Sequence, residues 1–357
     1  MELTLFAIAY LLLLISLFNY YSIRIPKNSA PVQASITLLL PVRNEEENIA
    51  ECIATLKSQS GVENLKFIII NDQSTDKTAA LLASAIADDA RFTVVETEGP
   101  RTGWLGKVSA LQSGYEAAGA EFIVTLDADV RLSSGALCRA INQLSDLNLD
   151  FISPYPRQEA RTIAEKLIQP LLHWSWMSTI ILRLAEKKPH PSTAVANGQF
   201  FIARKSALDA VGGFQSVQNQ ILDDIEIARS LIKSGFRGVV TEGAEIAHTR
   251  MYQNFSEIRE GYGKSLHKAF GGKLGAVVAT TFIALTGILP FILALRGSMI
   301  ATITFLLIAF TRALSALRAK SNPFYALLHP ISSALSIYLI AYSWRKRGSI
   351  QWKGRTV

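Results

Sequence analysis

The amino-acid sequence predicts an α/β domain with a mostly parallel sheet, joined to one transmembrane helix before it and two to three after it. Soluble proteins carry about 25% charged residues, whereas only 18% of these 357 residues are charged and 49% are hydrophobic. Long uncharged runs lie near both ends of the chain, and short apolar runs alternate with helical patterns between them. This composition excludes a disordered chain, a collagen-like fibre and a long coiled coil.

Residues 1–31 are predicted to form an N-terminal transmembrane anchor. The run 3–23 contains 21 residues without a charge, enough to cross a hydrocarbon core of about 30 Å. No basic residue precedes this run and no small-x-small cleavage site follows it, so we expect an uncleaved helix rather than a secretory signal. Because Arg24 and Lys27 follow it, the positive-inside rule places the next domain in the cytoplasm.

The region 274–344 is predicted to contain the C-terminal membrane segments, followed by a basic cytoplasmic tail over 345–357. Its three apolar stretches are 274–295, 297–311 and 321–344. Three full crossings would put the basic tail outside, against the positive-inside rule. One stretch is therefore expected to be re-entrant or interfacial, and the third is the strongest candidate because His329 and Pro330 interrupt it.

The net charge of +7 indicates a membrane partner rather than nucleic acid. The basic excess lies beside the apolar stretches and in the tail, where it suits anionic lipid head groups. The second stretch reaches about Leu317 if Arg312 is tolerated within it. Arg312 is then expected to face protein or the interface, because a charge in hydrocarbon is unfavourable. The two cysteines, Cys52 and Cys138, are too few for a disulfide scaffold or a four-thiolate zinc site.

Residues 32–273 have the composition of a soluble domain and alternate between strand and helix patterns. Short β-branched or aromatic runs occur at 36–40, 67–70, 92–95 and 122–126. Apolar residues at helical spacing lie between these runs, which argues for a parallel sheet covered on both faces. The uncharged segment near 163–184, with Trp174 and Trp176, is short for a span. It is expected to lie at the membrane interface or to be a buried core helix.

Polar side chains follow three of the predicted strands. Pro41, Asn44 and Glu45 lie at the end of the first strand, Asp72 at the end of the second and Asp127 at the end of the fourth. Because ligands bind at the carboxyl edge of such a sheet, we expect these residues to surround one site.

Asp127 and Asp129 are one residue apart after an apolar run, so their carboxylates repel each other unless a cation lies between them. Mg²⁺ commonly binds one or two carboxylates together with substrate phosphates. A metal site is therefore one interpretation, and a solvated turn is the other. Simpler readings also stay open for Ser74 or Asp76, as caps of the next helix, and for the acidic run 45–47, as first-turn residues that suit a helix dipole.

Taken in chain order, several short motifs of this sequence resemble those of a family 2 glycosyltransferase with the nucleotide-sugar-binding GT-A fold. The matching segments are 41–45, 72–76, 103–107, 127–129, 196–200, 221–226, 250–252 and 352–355. The segments 250–252 and 352–355 are similar to members that glycosylate carotenoid acids, hopanoids and ceramide. Asp223 stands where the family's Glu-Asp motif has Glu. The likeness covers nearly the whole chain and is more specific for the family than for the substrate.

The resemblance implies a Mg²⁺ or Mn²⁺ ion held by Asp129 and Asp127, with Asp129 the more direct ligand. Such an ion would neutralise a diphosphate leaving group as a Lewis acid. The implied nucleotide-sugar-binding residues are Pro41, Asn44, Glu45, Asp72, Lys107 and Asp127. Lys107 would contact phosphates as a point charge, and its alternative reading is a surface lysine.

The resemblance also implies that Asp224 is the catalytic base, which takes a proton from the acceptor. Asp223 is alternatively an ordinary N-cap. The residues implied at the acceptor or product phosphate are Gly198, Gln199, Asp223, Arg250, Tyr252, Trp352 and Arg355. For Trp104 and His248, purely structural roles stay open beside a role in the site.

The sequence therefore predicts an inverting, metal-dependent hexosyltransferase that moves a sugar from a nucleotide sugar, with a UDP-sugar the favoured donor, to a membrane lipid. The catalytic domain is expected on the cytoplasmic face of a bacterial inner membrane. A polyprenyl phosphate acceptor is the alternative within the same fold. A degenerate, non-catalytic scaffold of a lipid pathway is the alternative outside enzymes. The intact Asp127, Asp129 and Asp224 weigh against the scaffold, whereas Asp223 leaves some room for it.

Overall fold

The β-branched and aromatic runs form strands in the computed structural model, which describes residues 1–347, 351–352 and 355–356. The strands are β1 Ile36–Val42, β2 Leu65–Asn71, β3 Phe92–Glu96, β4 Phe122–Leu126, β5 Val130–Leu132, β6 Phe151–Tyr155, β7 Arg157–Gln158, β8 Phe200–Arg204, β9 Gly238–Glu242, β10 Ala247–Thr249, β11 Gln351–Trp352 and β12 Arg355–Thr356. The helices are α1 Glu2–Ser22, α2 Ile49–Lys57, α3 Thr78–Ile86, α4 Gly106–Glu116, α5 Ala136–Asp146, α6 Ile163–Thr179, α7 Leu182–Lys187, α8 Lys205–Ala210, α9 Asp223–Lys233, α10 Phe255–Ala269, α11 Lys273–Ile283, α12 Leu289–Leu295, α13 Met299–Arg318 and α14 His329–Lys346. Shorter 3₁₀ or π turns are Pro191–Thr193, Gly213–Val217, Ala284–Ile288 and Pro323–Leu328.

A seven-stranded sheet has the strand order β3-β2-β1-β4-β8-β6-β9 within the described part of the chain. β1 pairs in parallel with β2 and β4, β2 pairs in parallel with β3, and β6 pairs in parallel with β9. β8 runs antiparallel to its neighbours β4 and β6. The predicted α/β class with a mostly parallel sheet is confirmed, and the carboxyl ends of β1, β2 and β4 share one edge.

The sheet is buried on both faces, which explains why its strands read as continuous apolar runs rather than alternating ones. Leu38 and Leu40 of β1 belong to the core beneath α2 and α5. Leu39, which points the opposite way, belongs to a second core that contains Leu111 of α4 and Leu231 of α9. Both faces therefore hold the strand ends in fixed positions.

Contacts divide the chain into two compact units. The sheet unit comprises Arg24–Arg157 and Leu184–Thr249, and the helical unit comprises Met1–Ile23, Gln158–Arg183 and Arg250–Val357. The segments near 163–184 and 250–273, which the sequence analysis assigned to the sheet domain, thus mostly group with the helices. Their apolar residues explain this grouping, because Leu167 and Ile168 of α6 pack with Ile258 of α10 and Leu339 of α14.

Helix α6 packs among the helices of its own unit. Trp176 is only 5% exposed, and Trp174 Nε1 donates to Thr311 Oγ1 of α13 at 2.8 Å. The helix ends at Thr179, and Asn19 of α1 donates to the carbonyl oxygen of Met177 at 2.9 Å. The burial of Trp176 and the hydrogen bond of Trp174 favour the alternative of a buried core helix, and a position of α6 at the membrane interface stays a prediction.

Four helices in the described residues are long and apolar enough to cross a membrane. They are Glu2–Ser22, Lys273–Leu295, Met299–Arg318 and Pro323–Lys346. The count agrees with the prediction of one N-terminal and up to three C-terminal helices. His329 and Pro330 begin α14 instead of interrupting a helix, since proline is tolerated in the first turn. The number of actual crossings stays a prediction.

Candidate active site

The candidate site lies at the carboxyl edge of the sheet, where β1, β2 and β4 end. Val42 of β1 is in register with Asn71 of β2, so the loops after the two strands leave the sheet side by side. Asn44 and Gln73, one in each loop, have φ values of 51° and 55°. Left-handed backbone is uncommon in residues other than glycine and turns the chain sharply here. Pro41 lies within β1, opposite Ile70.

The loops after β1 and β2 are tied together by backbone-to-side-chain hydrogen bonds. The Asn44 N–H donates to Ser74 Oγ at 3.1 Å, and Asn44 Oδ1 accepts from the Thr75 N–H at 2.8 Å. The Glu45 N–H donates to Thr78 Oγ1 at 2.7 Å. Ser74 therefore orders the neighbouring loop and does not cap α3, which begins at Thr78.

Asp76 is not the N-cap of α3, which is Lys77, but it connects the start of α3 to the loop after β1. Its Oδ1 accepts from the Thr78 N–H at 2.9 Å, at the start of α3, and its Oδ2 accepts from the Glu46 N–H at 3.2 Å in the other loop. Glu45 Oε2 accepts from Asn48 Nδ2 at 2.9 Å. These acidic side chains thus fix the conformation of the two loops at the edge of the site.

Asp72 lies just past β2 and is only 4% exposed. Its Oδ1 accepts from Thr97 Oγ1 at 3.0 Å, and its carbonyl oxygen accepts from Arg43 Nη1 at 2.6 Å. The carboxylate is thus fixed at the edge of the sheet, and carboxylate oxygens are hydrogen-bond acceptors. This is the chemistry required to bind a nucleoside hydroxyl or ring N–H.

The centre of the site is a cluster of oppositely charged side chains. Lys107, at the start of α4, places Nζ 2.6 Å from Asp127 Oδ1. Asp224 Oδ2 accepts from the Gly198 N–H at 2.7 Å. A Cβ added at Gly198 would lie 3.3 Å from both Lys107 Nζ and Asp224 Cβ, so a glycine is needed for this close approach. The structure therefore brings together four of the predicted site residues, far apart in sequence.

Gln199 continues the segment that holds Asp127. The Asp127 N–H donates to the carbonyl oxygen of Gln199 at 3.1 Å. The side chain of Gln199 is 2% exposed, and its Oε1 accepts from Asn197 Nδ2 at 3.1 Å. Gln199 consequently supports the strand ends from within the protein, and its predicted contact with acceptor or product phosphate stays a prediction.

The cluster shifts the protonation of its members. Burial works against the charged form of Lys107, but Asp127, Asp223 and Asp224 outweigh it and hold the pKa of Lys107 above its usual value. Burial, followed by the charge of Asp223, raises the pKa of Asp224 to about 6, although Lys107 opposes the shift. A carboxylate with a pKa near neutrality is well suited to general-base chemistry.

Asp129 lies beside this cluster. Burial and the neighbouring Asp127 raise the pKa of Asp129 to about 6, against the hydrogen bond from Thr249. That bond joins Thr249 Oγ1 to Asp129 Oδ2 at 3.0 Å. A raised pKa means that the ionised pair of carboxylates is unfavourable by itself, and a cation would relieve it.

Arg131 is a site residue that the sequence analysis missed. It is 7% exposed, and its Nη1 donates to the carbonyl oxygens of Ala128 at 2.8 Å and Val130 at 3.2 Å. It thereby fixes the turn that carries Asp127 and Asp129. A charged residue in the apolar run Val130–Leu132 was the available signal. Thr249 gave none, because it is distant in sequence from Asp129.

Asp223 does not have the N-cap role that the sequence left open. Helix α9 begins at Asp223, its N-cap is Leu222, and no side-chain capping bond forms there. Asp223 instead contributes negative charge close to Lys107 and Asp224. The buried face of α9 contains Ile227, together with residues 228 and 231.

The remaining predicted acceptor residues belong to the helical unit. Arg250 Nη2 lies 3.0 Å from Oε1 of Glu165, whose side chain is fully buried. The ring of Tyr252 contacts the ring of Tyr262 in a tilted arrangement, with the ring centroids 5.7 Å apart. Both residues therefore anchor α6 and α10. Their predicted contact with acceptor stays a prediction.

Two further predicted residues lie near the C-terminus. The backbones of Trp352 and Arg355 pair in a two-stranded antiparallel ribbon. Residues 353 and 354, which belong to the same motif, lie outside the described residues. Trp104 packs against the second core of the sheet, and Arg101 lies over its ring at 5.4 Å. His248 lies in β10 opposite Arg131.

The donor set of the site fits a hard divalent cation. No group of three or more His, Cys, Asp or Glu side chains is arranged around a metal position among the described residues. However, Mg²⁺ commonly takes one or two protein carboxylates and completes its shell with phosphate oxygens and water. Asp127 already binds one cation, the Lys107 ammonium, and the raised pKa of Asp129 shows that a further positive charge would be accommodated.

Comparison with known proteins shows which family the sheet domain is similar to. Residues 37–212 match the family model described as Glycosyl transferase family 2. The chain is similar to 4,4'-diaponeurosporenoate glycosyltransferase from Staphylococcus aureus strain USA300, with 26% identity over 339 residues that cover 90% of this chain and 88% of the relative. The corresponding protein of strain Mu50 matches to the same extent.

Solved structures give the fold. A mannosyltransferase from Pyrobaculum calidifontis, in complex with GDP-Man and Mn²⁺, aligns with 20% identity over 96% of this chain and 98% of that chain, with a TM-score of 0.55. Glucosyl-3-phosphoglycerate synthase from Mycobacterium tuberculosis aligns with 17% identity over 63% of this chain and 73% of that chain, with a TM-score of 0.41. The first alignment confirms the expected GT-A fold.

Proposed function

Because residues 37–212 form a family 2 glycosyltransferase domain, we propose that this protein transfers a sugar from a nucleotide sugar to a membrane lipid. The single observation that carries the proposal is the charged cluster at the carboxyl edge of the sheet. There Lys107 Nζ contacts Asp127 at 2.6 Å, and Asp224 is held by the Gly198 N–H. Lys107 supplies a cation that can bind phosphate, and Asp224 supplies a carboxylate that can take a proton from the acceptor.

The donor is bound by groups on both sides of the strand ends. Asp72 accepts hydrogen bonds from the nucleoside, beside the backbone of Pro41, Asn44 and Glu45, and a UDP-sugar is the favoured donor. Lys107 contacts the diphosphate as a point charge. Because carboxylates outnumber Lys107 in this cluster, a diphosphate alone would be repelled. Asp129 and Asp127 would hold a Mg²⁺ or Mn²⁺ ion, which supplies Lewis-acid neutralisation of the leaving group when bound.

Asp224 acts on the acceptor. Its raised pKa, about 6, leaves it mostly ionised at neutral pH while retaining enough basicity to take a proton. The acceptor oxygen attacks the anomeric carbon as the bond to the diphosphate breaks, and the proton of the acceptor hydroxyl passes to Asp224. One displacement of this kind inverts the anomeric configuration. Gly198 and Asp223 line the same position.

The acceptor class is proposed from the relatives and from the helices. The name of the Staphylococcus aureus relatives states that they act on 4,4'-diaponeurosporenoate, a carboxylate. Four helices of this chain are long and apolar enough to cross a membrane within its described residues. A lipid carboxylic acid is therefore the first acceptor to test, and a polyprenyl phosphate is the second.

The catalytic domain is proposed to face the cytoplasm of a bacterial inner membrane. Arg24 and Lys27 follow the first apolar helix directly, and basic residues are retained on the cytoplasmic side. Protease added to intact cells should leave residues 32–273 uncut, whereas the same protease should cut them in inverted membrane vesicles. Cleavage in intact cells would contradict this orientation.

The activity itself is tested with purified membranes. These are incubated with radiolabelled UDP- and GDP-sugars, and lipid is extracted after addition of a carotenoid acid, a lipid alcohol or a polyprenyl phosphate. We expect label in the lipid phase with one donor and one acceptor class. If that acceptor is a lipid alcohol, the Asp224→Asn variant should transfer far less label. Release of nucleotide without labelled lipid, or no label with any pair, would contradict the proposal and favour a scaffold.

A further inference from the structure

A second group of polar side chains lies inside the helical unit, outside the family-matching region 37–212. Arg312 of α13 is 3% exposed, and His329 at the start of α14 is 2% exposed. Arg312 Nη1 lies 3.3 Å from His329 Nδ1, and His329 Nε2 lies 3.4 Å from Ser333 Oγ. Both helices are long and apolar enough to cross a membrane.

The hydrogen-bond roles follow from the chemistry of arginine. A guanidinium only donates, so His329 Nδ1 accepts from Arg312, and the ring proton is on Nε2, facing Ser333. His329 is thus a neutral partner, and it engages one of the several guanidinium donors. Within residues 1–347, no Asp or Glu side chain forms an ion pair with Arg312. Its positive charge is therefore not balanced by the described protein.

A buried cation without an acidic partner indicates that the site binds an anion. A buried charge strongly destabilises a fold unless it is paired, and an ionisable residue within a membrane segment usually has a function. Arg312 lies about 9 Å along the axis from the end of α13 at Arg318, at about 1.5 Å per residue. That depth suits the head group of an amphiphile, and the planar guanidinium matches carboxylate and phosphate oxygens.

The backbone next to this cluster approaches it closely. The π turn Ala284–Ile288 belongs to a class of irregularity that is frequent at functional sites. A Cβ added at Gly287 would collide with Ser333 Oγ and lie 3.2 Å from His329 Nε2. Trp174 packs on the ring of His329, with centroids 5.1 Å apart. Three helical segments, namely α6, the π turn and α14, thus surround the Arg312 guanidinium of α13.

We propose that Arg312 and His329 bind the oxyanion of an amphiphile, namely a carboxylate or phosphate group carried on a hydrocarbon chain. Arg312 supplies the charge and the paired donors, and His329 orients the guanidinium through its Nδ1. The source of the anion is either a lipid carboxylic acid or a lipid phosphate. The inference stands independently of the proposed sugar transfer.

The test measures binding without sugar transfer. Purified full-length protein in uncharged detergent is titrated with palmitate, hexadecyl phosphate or hexadecanol, which share one chain length and differ in head group. The readouts are the midpoint of thermal unfolding, which a ligand raises by mass action, and tryptophan fluorescence, to which Trp174 contributes. We expect a saturable response to at least one of the two anions and none to the alcohol.

Three variants test whether Arg312 is responsible for the response to the anion. Arg312→Gln keeps hydrogen-bond donors but removes the charge, and it should weaken anion affinity by about 10- to 100-fold. Arg312→Lys keeps the positive charge but lacks the paired N–H donors of the guanidinium, so it should show an intermediate affinity. Arg296→Gln removes an exposed arginine between α12 and α13 and should bind as the unmodified protein does.

The outcomes separate a binding site from a structural contact. Response to palmitate alone identifies a carboxylate site, response to hexadecyl phosphate alone identifies a phosphate site, and loss of either in Arg312→Gln supports the proposal. An anion response that survives in Arg312→Gln, or an equal response to hexadecanol, would overturn it. So would the absence of any response in the unmodified protein. Asp224→Asn should retain anion binding even though transfer to a lipid alcohol is strongly reduced, so the two proposals fail separately.

Discussion

Two groups of charged side chains in this protein, one half-buried in the sheet unit and one buried in the helical unit, are balanced in opposite ways. In the sheet unit, Lys107 is surrounded by Asp127, Asp223 and Asp224, so carboxylates outnumber the cation. In the helical unit, Arg312 is paired with the neutral His329. One group has an excess of negative charge and the other has an excess of positive charge.

The sign of the excess charge indicates the sign of the ligand. A group with surplus carboxylates accommodates a cation, and a diphosphate only together with it. A group with a surplus guanidinium accommodates an anion directly. Burial strengthens the inference for Arg312, which is 3% exposed, because water screens exposed charges more than enclosed ones.

Removal of the divalent cation should have the largest effect on the sheet-unit cluster. Exhaustive chelation is expected to reduce transfer to the assay background, and added Mn²⁺ or Mg²⁺ should restore it. Asp129→Asn should be equally inactive and should also weaken nucleotide-sugar binding, measured by calorimetry. Full activity in the presence of chelator would contradict the assignment of Asp127 and Asp129 to a metal.

Asp224→Asn should reduce turnover by about 10²- to 10⁴-fold, the usual contribution of a general base. Nucleotide-sugar affinity should stay nearly unchanged, because Asp224 is proposed to act on the acceptor. Turnover with a lipid alcohol and donor affinity are measured for the same preparation. With a carboxylic acid acceptor, which is already ionised near neutral pH, the loss should be smaller.

Two neighbouring acids are the controls for Asp224. Asp223→Asn should lower turnover by less than about tenfold, because it alters the charge near Lys107 and leaves the base in place. Glu226→Gln, in the same first turn of α9, should change neither turnover nor affinity. A larger loss at Asp223 than at Asp224 would show that the base is assigned to the wrong residue.

The pH dependence of transfer should reveal the same carboxylate. Asp224 must be ionised to act as a base, and burial raises its pKa to about 6. Turnover with a lipid alcohol should therefore fall about tenfold per unit as the pH drops below that value. Because the charge of Asp223 contributes to the raised pKa, Asp223→Asn should move the acid limb to lower pH. A profile that is flat from pH 5 to 8 would exclude Asp224 as the base.

The smallest expected effects concern stability, and they compare the two groups directly. Lys107→Met leaves several carboxylates unbalanced and should lower the free energy of unfolding by about 1–3 kcal/mol. Arg312→Met removes a charge that lacks a counter-charge, so it should be neutral or stabilising. Midpoints of thermal unfolding in one detergent give both values. A strong destabilisation by Arg312→Met would show that the helical unit depends on Arg312 for its fold.

The sequence by itself determined the α/β class, one N-terminal and two to three C-terminal apolar helices, and the strand ends that carry Asp72, Asp127 and Asp129. These features are local. Apolar periodicity defines elements, and parallel strands bring their carboxyl ends to one edge whatever the details of packing. The order of the motifs also indicated the resemblance to family 2 glycosyltransferases, since that order depends on the chain alone.

Only the tertiary structure decided which partners these residues have. It showed that Arg131 and Thr249 hold the turn of Asp127 and Asp129, that Asp223 is not a cap, and that Trp176 is buried by protein. It also showed that Arg312 faces a histidine and not a carboxylate. The physical reason is the same in each case. Burial and charge pairing are set by contacts between residues far apart in the chain, and no local pattern encodes those distances.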